Sequence, residues 1–236
     1  MNTTMYDKLL KLPLFQGLSK NDLTVILEKV KVEFRSYSPK EYIIKQNTPC
    51  TELIFLLDGR VRACVTDTTY KYSLCEEISD QLIIEPYSLF GMRPFFNASY
   101  KAETDVNTLV LKKEYILPLL CKYDIFNLNY INLLSNRAQT MQQKLWNTHI
   151  GSTLEKIVNF LALRCMLQYG TKELSITMED LANLLDDTRI NVSRALNRLQ
   201  ELGYISLSRK VIKINDLKDL ILEVKTQKEK SQESKK

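Results

Sequence analysis

A chain of 236 residues with 44% hydrophobic content has room for one large or two modest cores. It has no apolar run of 18 residues and no secretory apolar region near residue 1, so neither a membrane span nor an export signal is expected. The net charge of +5 and the isoelectric point near 8.8 permit nucleic-acid binding without demanding it. Cys50, Cys64, Cys75, Cys121 and Cys165 are scattered, odd in number and without Cys-x-x-Cys spacing, so free thiols in a reducing, cytoplasmic setting are expected.

In residues 1–33 apolar side chains recur at helical spacing: Leu9, Leu10 and Leu12, then Leu18, Leu23, Ile26, Leu27 and Val30. Pro13 and Gly17 divide the stretch, and Ser19 followed by Asp22 predicts a capped helix start. From Phe34 the period falls to two. Strands are predicted at 42–44, 53–57, 61–65, 70–74, 81–84 and 108–111. Ser38-Pro39, Asn47-Thr48-Pro49, Asp58-Gly59, Asp67-Thr68 and Glu85-Pro86 punctuate them. Short strands with frequent turns imply a β-sandwich or jelly roll.

After Pro118 the helical period returns. Ile131, Leu134, Ala138, Met141, Leu145 and Thr148 follow alternating steps of three and four, a heptad seam. Such a seam serves either a helix packed on its own domain or a parallel contact between two copies of the chain. Gly151 marks a boundary. Ser152 with Glu155 predicts a capping box for a helix carrying Leu154, Ile157, Val158, Leu161, Ala162 and Cys165 and ending near Gly170.

The stretch from Thr177 to Ile214 reads as two short helices with a tight turn, then a hairpin. Thr177 caps the first helix, whose Leu181, Leu184 and Leu185 share a face. Asp186 takes the turn position where glycine is usual, and aspartate tolerates the left-handed conformation better than most residues. Thr188 caps the second helix. Val192, Ala195, Leu196 and Leu199 form its inner face, while Ile190, Arg194 and Asn197 lie opposite. Gly203 terminates it, and Ile205, Leu207, Ile212 and Ile214 alternate around Ser208-Arg209-Lys210. This is a winged helix-turn-helix pattern, with an outer helix face sized for a DNA major groove. Helix-turn-helix spacing also occurs in ordinary helical cores; the cap, the Arg/Asn/Ser face and the basic turn favour DNA.

The stretch Arg189-x-x-Val192-Ser193-Arg194, followed by Leu196, Leu199 and Gly203, resembles the DNA-binding domain of the cyclic-AMP receptor protein and fumarate-nitrate regulator family. Ile190 and Asn191 stand where that family often has Glu-Thr, so its usual operator core is not carried over. Residues 14–116 resemble the same family's cyclic-nucleotide-binding-like sensor domain. Ile43-Ile44-Lys45-Gln46-Asn47 and Leu53-Ile54-Phe55-Leu56-Leu57-Asp58-Gly59-Arg60-Val61 carry that likeness, with Asn47 at a turn glycine's place. The resemblance implies an α+β chain: a jelly-roll sensor with N-terminal helices (1–117), a dimerisation helix (118–149), a winged helix-turn-helix domain (150–225) and a disordered tail (226–236). It implies a homodimer joined through Ile131, Leu134, Ala138, Met141 and Leu145, with recognition helices roughly 34 Å apart on double-stranded DNA carrying an inverted repeat. Arg189, Asn191, Ser193 and Arg194 are the candidates for base-edge contacts, and Arg198, Arg209 and Lys210 for phosphates. RNA polymerase and a small-molecule effector of unknown identity complete the implied partners, and no membrane is among them.

The family's nucleotide-binding cassette falls on Phe90-Gly91-Met92-Arg93-Pro94-Phe95-Phe96-Asn97-Ala98-Ser99. Met92 stands where nucleotide binders hold ribose with a carboxylate, and Phe96 where they neutralise phosphate with an arginine. Cyclic nucleotides are therefore not expected to bind. Phe90, Met92, Arg93, Phe95, Phe96 and Asn97 are expected either to line an apolar effector pocket or to fill the barrel. No cofactor is expected: residues 1–49 hold no cysteine for an iron-sulfur cluster, and His149 is the single histidine. No nucleophile-base pair or paired-acid motif points to an enzyme. A ligand- or protein-binding scaffold without sequence-specific DNA binding is the competing reading, separated by salt-dependent, sequence-selective DNA binding.

Overall fold

The computed structural model describes residues 5–79, 81–146 and 151–233. The chain forms two compact units, Met1–Ala63 with Ile78–Gln139, and Cys64–Glu77 with Thr140–Lys236. Residues 64–77, inside the stretch expected to form the sensor, pack with the second unit.

The first unit begins with α1 (Met5–Lys11), a 3₁₀ turn (Pro13–Phe15) and α2 (Lys20–Lys29). The Ser19 hydroxyl accepts from Asp22 N–H at 3.0 Å while the Asp22 carboxylate accepts from Ser19 N–H at 3.2 Å, so the cap is reciprocal. The strands are β1 (Val32–Tyr37), β2 (Tyr42–Ile44), β3 (Glu52–Asp58), β4 (Val61–Asp67), β5 (Tyr72–Ile78), β6 (Leu82–Ile84), β7 (Ser99–Ala102) and β8 (Val106–Lys112). One antiparallel sheet has the order β1-β8-β3-β6, and β2 pairs antiparallel with β7. Leu53 through Leu57 are buried without alternation because β3 is covered on both faces. Phe15 packs there, its ring 5.4 Å from Phe55 and 5.8 Å from Phe126. Gly59 is required at its turn: its φ is +97°, and a Cβ would lie 2.3 Å from the Asp105 carbonyl oxygen. Asn47 takes a left-handed φ of 63°, as its turn position predicts. Two helices follow, α3 (Lys113–Lys122) and α4 (Asp124–Trp146).

The second unit contains α5 (Thr153–Arg164), β9 (Lys172–Ser175), α6 (Met178–Leu184), α7 (Arg189–Glu201), β10 (Ile205–Ser208), β11 (Val211–Ile214) and α8 (Leu217–Glu233). Its strands run β10-β11-β9-β5, all antiparallel. Leu74 of β5 faces Leu174 of β9, and both join the core with Leu161, Leu181, Val192, Leu196 and Ile212. Tyr72 meets Phe160 edge to face at 5.5 Å. Glu76 accepts from the N–H groups of Met166 and Leu167, which follow α5, at 2.7 and 3.1 Å. It also pairs with the fully buried ammonium of Lys172 at 2.8 Å. These contacts are why residues 64–77 pack with this unit.

Two further expectations change. Cys64 and Cys75, opposite each other on neighbouring strands with Cα atoms 4.1 Å apart, are joined in a disulfide rather than left as free thiols. Cys50 and Cys165 are free and buried, and burial pushes the Cys50 thiol up to about 11, which leaves it unreactive. Helix α8 continues to Glu233, well past residue 225 where structure was expected to end, since its Lys, Glu and Gln residues are good helix formers. Thr148 and His149 lie outside the described residues.

Candidate nucleic-acid interface

Local rules fix both helices of the turn. The Thr177 hydroxyl accepts from Asp180 N–H at 3.1 Å, starting α6. Asp186 then adopts φ 48°, the left-handed turn its position demands. The Thr188 hydroxyl accepts from Asn191 N–H at 3.2 Å and starts α7. Val192, Leu196 and Leu199 are buried in the core.

Asp187, beside the turn residue Asp186, joins three elements. One carboxylate oxygen accepts from Thr153 Oγ1 at 2.9 Å and lies 3.4 Å from Lys156 Nζ, both on α5. The other accepts from Thr188 N–H at 2.8 Å and Asn191 Nδ2 at 2.9 Å, at the start of α7. Led by the Asn191 and Thr153 hydrogen bonds, these donors lower its pKa from 3.8 to about 2. A folded-state pKa below the unfolded one means that this contribution is complete above about pH 4 and lost as pH falls through about 2. Asp187→Ala is expected to cost about 2 kcal/mol at neutral pH, with several donors left unmatched. It should also flatten the acid limb of stability. Thermal unfolding from pH 2 to 7 checks this, and an unchanged acid limb would remove Asp187 from that role.

The predicted DNA-contacting residues sort clearly. Arg189, Arg194 and Arg198 are exposed along α7, and Arg209 and Lys210 at the turn between β10 and β11. Among the described residues none of these five side chains forms an ion pair or hydrogen bond. Arg194 and Arg198 are moreover one helical turn apart, where like charges repel. Asn191 is exposed but holds Asp187, so its amide is already engaged. Ser193 is half-buried, less open to a ligand than its spacing implies. Ile190, 63% exposed, adds an apolar contact point beside Arg194 that charge-based reasoning left out.

The α4 seam is also open. Ile131 (51% exposed), Ala138 and Met141 face solvent in the single chain, and Leu134 is half-buried. Leu145 lies in the helix, but its side chain is outside the described set. Ile125 and Leu128 are exposed as well, so the apolar stripe extends toward the start of α4.

The cassette residues, expected either to line an apolar effector pocket or to fill the barrel, point in different directions. Gly91 turns the chain with φ 98°, and Met92, Arg93 and Phe95 project to the surface, Met92 completely. Phe90 stands edge-on to Tyr130 with Lys113 above its ring. Only Phe96 is buried, on a cleft bordered by Tyr42, Ile44, Thr48 and Pro49. Asn97 donates instead to Glu85 and Ser88. No cluster of metal-ligating side chains occurs among the described residues, and no described helix is long and apolar enough to cross a membrane.

Residues 34–123 match the cyclic nucleotide-binding domain family, and residues 155–222 match the Crp-like helix-turn-helix domain family. Among solved structures, the catabolite activator protein of Thermus thermophilus aligns at 22% identity and a TM-score of 0.51, covering 90% of this chain and 97% of that one. A protein of Eubacterium rectale described as a transcriptional regulator of the crp/fnr family aligns at 20% identity and a TM-score of 0.52, covering 89% and 96%. At these identities the structural likeness establishes the fold. No curated protein matches the chain. With a cyclic nucleotide-binding domain followed by a Crp-like helix-turn-helix, the chain belongs to the cyclic-AMP receptor protein and fumarate-nitrate regulator family of transcription regulators.

Proposed function

We propose that the protein is a cytoplasmic, homodimeric, sequence-specific DNA-binding transcription regulator whose sensor domain does not take cyclic nucleotides. The observation that carries this reading is the set of five exposed cations on α7 and the β10–β11 turn, unpaired among the described residues. A capped helix presenting Arg189, Arg194 and Arg198 outward, with Arg209 and Lys210 on a hairpin, meets a groove and its flanking phosphates together. Double-stranded DNA with an inverted repeat, a second copy of the chain and RNA polymerase are the partners. The exposed stripe on α4 supports the dimer, since parallel pairing of two such helices buries Ile131, Ala138 and Met141. The sensor reading rests on Phe96, buried where a cyclic phosphate would need a cation, with Met92 in solvent.

Selection of bound sites from a random DNA pool tests the reading, followed by titrations at several salt concentrations. Arg194→Ala is expected to weaken the selected site by about 1–3 kcal/mol per half-site and to flatten preference at one base pair. Lys210→Ala is expected to weaken all sequences alike and to lower the salt slope by roughly one phosphate contact. A uniform loss for Arg194→Ala would make it a phosphate ligand. Failure to enrich any sequence would leave the scaffold reading in its place.

A further inference from the structure

Glu85 is 1% exposed, and it is a carboxylate without a cationic partner among the described residues. Five donors surround it instead. Oε2 accepts from Asn97 N–H at 2.8 Å, Ser88 Oγ at 2.9 Å and Asn97 Nδ2 at 3.0 Å. Oε1 accepts from Ala98 N–H at 2.9 Å and the Tyr100 hydroxyl at 3.0 Å. Two successive backbone N–H groups converging with an amide and two hydroxyls are the ingredients of an anion receptor.

The backbone is bent to deliver the carboxylate. Glu85 has φ 39° and ψ 54°, a left-handed conformation rare for any non-glycine residue, and it immediately precedes Pro86. The carbonyl of Pro86 is held from the other side by the Tyr130 hydroxyl at 2.8 Å. A strained backbone persists only where its surroundings over-determine it, and here the nest of donors does so.

We infer that Glu85 is a resident anion: it permanently fills a small-anion receptor formed by Ser88, Asn97, Ala98 and Tyr100, and so closes this part of the sensor to diffusible anions. A tethered carboxylate competes at an effective concentration that a free metabolite does not reach. The receptor is built for a carboxylate-sized group, and vacating it creates a site for acetate or inorganic phosphate. An amide cannot replace the acid. Either orientation of a glutamine puts its NH₂ against an obligatory donor, the Ala98 N–H on one side or the Asn97 N–H and NH₂ on the other.

This inference extends the reading of the sensor as unsuited to cyclic nucleotides, and one set of titrations separates the two. In the full-length wild type, the amide resonances of Asn97 and Ala98 are expected to stay fixed as acetate or inorganic phosphate is added at constant ionic strength. In Glu85→Ala the sensor's unfolding midpoint is expected to fall by roughly 10 °C. Acetate should then restore part of that loss, with saturable shifts at Asn97 and Ala98. Glu85→Gln is expected to lose a similar amount and to gain nothing from acetate. The inference is overturned if the wild-type Asn97 and Ala98 amides titrate with either anion, or if Glu85→Gln melts like the wild type. A Glu85→Ala variant that is stable and blind to acetate also overturns it. Should Glu85→Ala not fold, the wild-type and glutamine arms still decide. Cyclic AMP binding that leaves both amides unmoved would sink the nucleotide reading alone.

Discussion

Glu76→Ala is expected to destabilise the winged-helix unit by about 3–5 kcal/mol. The Lys172 side chain has no solvent exposure, and its ammonium lies 2.8 Å from the Glu76 carboxylate. Removing the acid leaves that charge buried and unpaired, and it strips the acceptor from Met166 and Leu167 N–H. Lys172→Met should cost much less, because the carboxylate keeps two backbone donors and methionine fills the apolar path of the lysine stem. Hydrogen exchange of the Leu74 and Leu174 amides reads the effect locally, where it should accelerate by about a hundred- to a thousandfold in Glu76→Ala. Equal costs for the two variants would mean that the pair, rather than the stranded ammonium, sets the loss.

The second large effect concerns the proposed homodimer. Ile131→Glu is expected to raise the dimer dissociation constant at least a hundredfold. Two isoleucines lose burial, about 1.5–3 kcal/mol each, and two like charges meet across the twofold. Ile131 tests the seam better than Leu134, because it is 51% exposed in the single chain while Leu134 is already half-buried. The monomer fold should therefore survive the change. Sedimentation at micromolar protein decides, and an intact dimer would remove this stripe of α4 from the interface.

The features legible from sequence were those governed by neighbours along the chain. Ser19 with Asp22, Ser152 with Glu155, Thr177 and Thr188 each obey a capping rule spanning three residues. The buried face of α7 follows from its period alone. Strand β9 escaped notice because an inward position is occupied by Lys172, which reads as polar until Glu76, 96 residues away, is brought against it. The packing of residues 64–77 against β9 is invisible for the same reason, since Leu74 finds Leu174 only across sequence-distant strands. Met92 and Phe95 read equally as pocket lining or as barrel filling because composition carries no direction, and the turn at Gly91 aims them outward. Glu85 gives no local sign beyond preceding a proline, as four of its five donors lie 12 to 15 residues on.

Lys210 carries a consequence of its own. It sits in the hairpin turn with φ 61°, where a lysine is held roughly 1–2 kcal/mol above its comfortable backbone region and glycine would rest without penalty. Its side chain is also one of the five cations unpaired among the described residues. In the proposed phosphate contact, conformational ease and grip on a polyanion pull this single position in opposite directions. The residue that would make the hairpin most stable is the one that would hold DNA least, and a thermostabilising design that followed backbone geometry alone would blunt the protein's reach for phosphate.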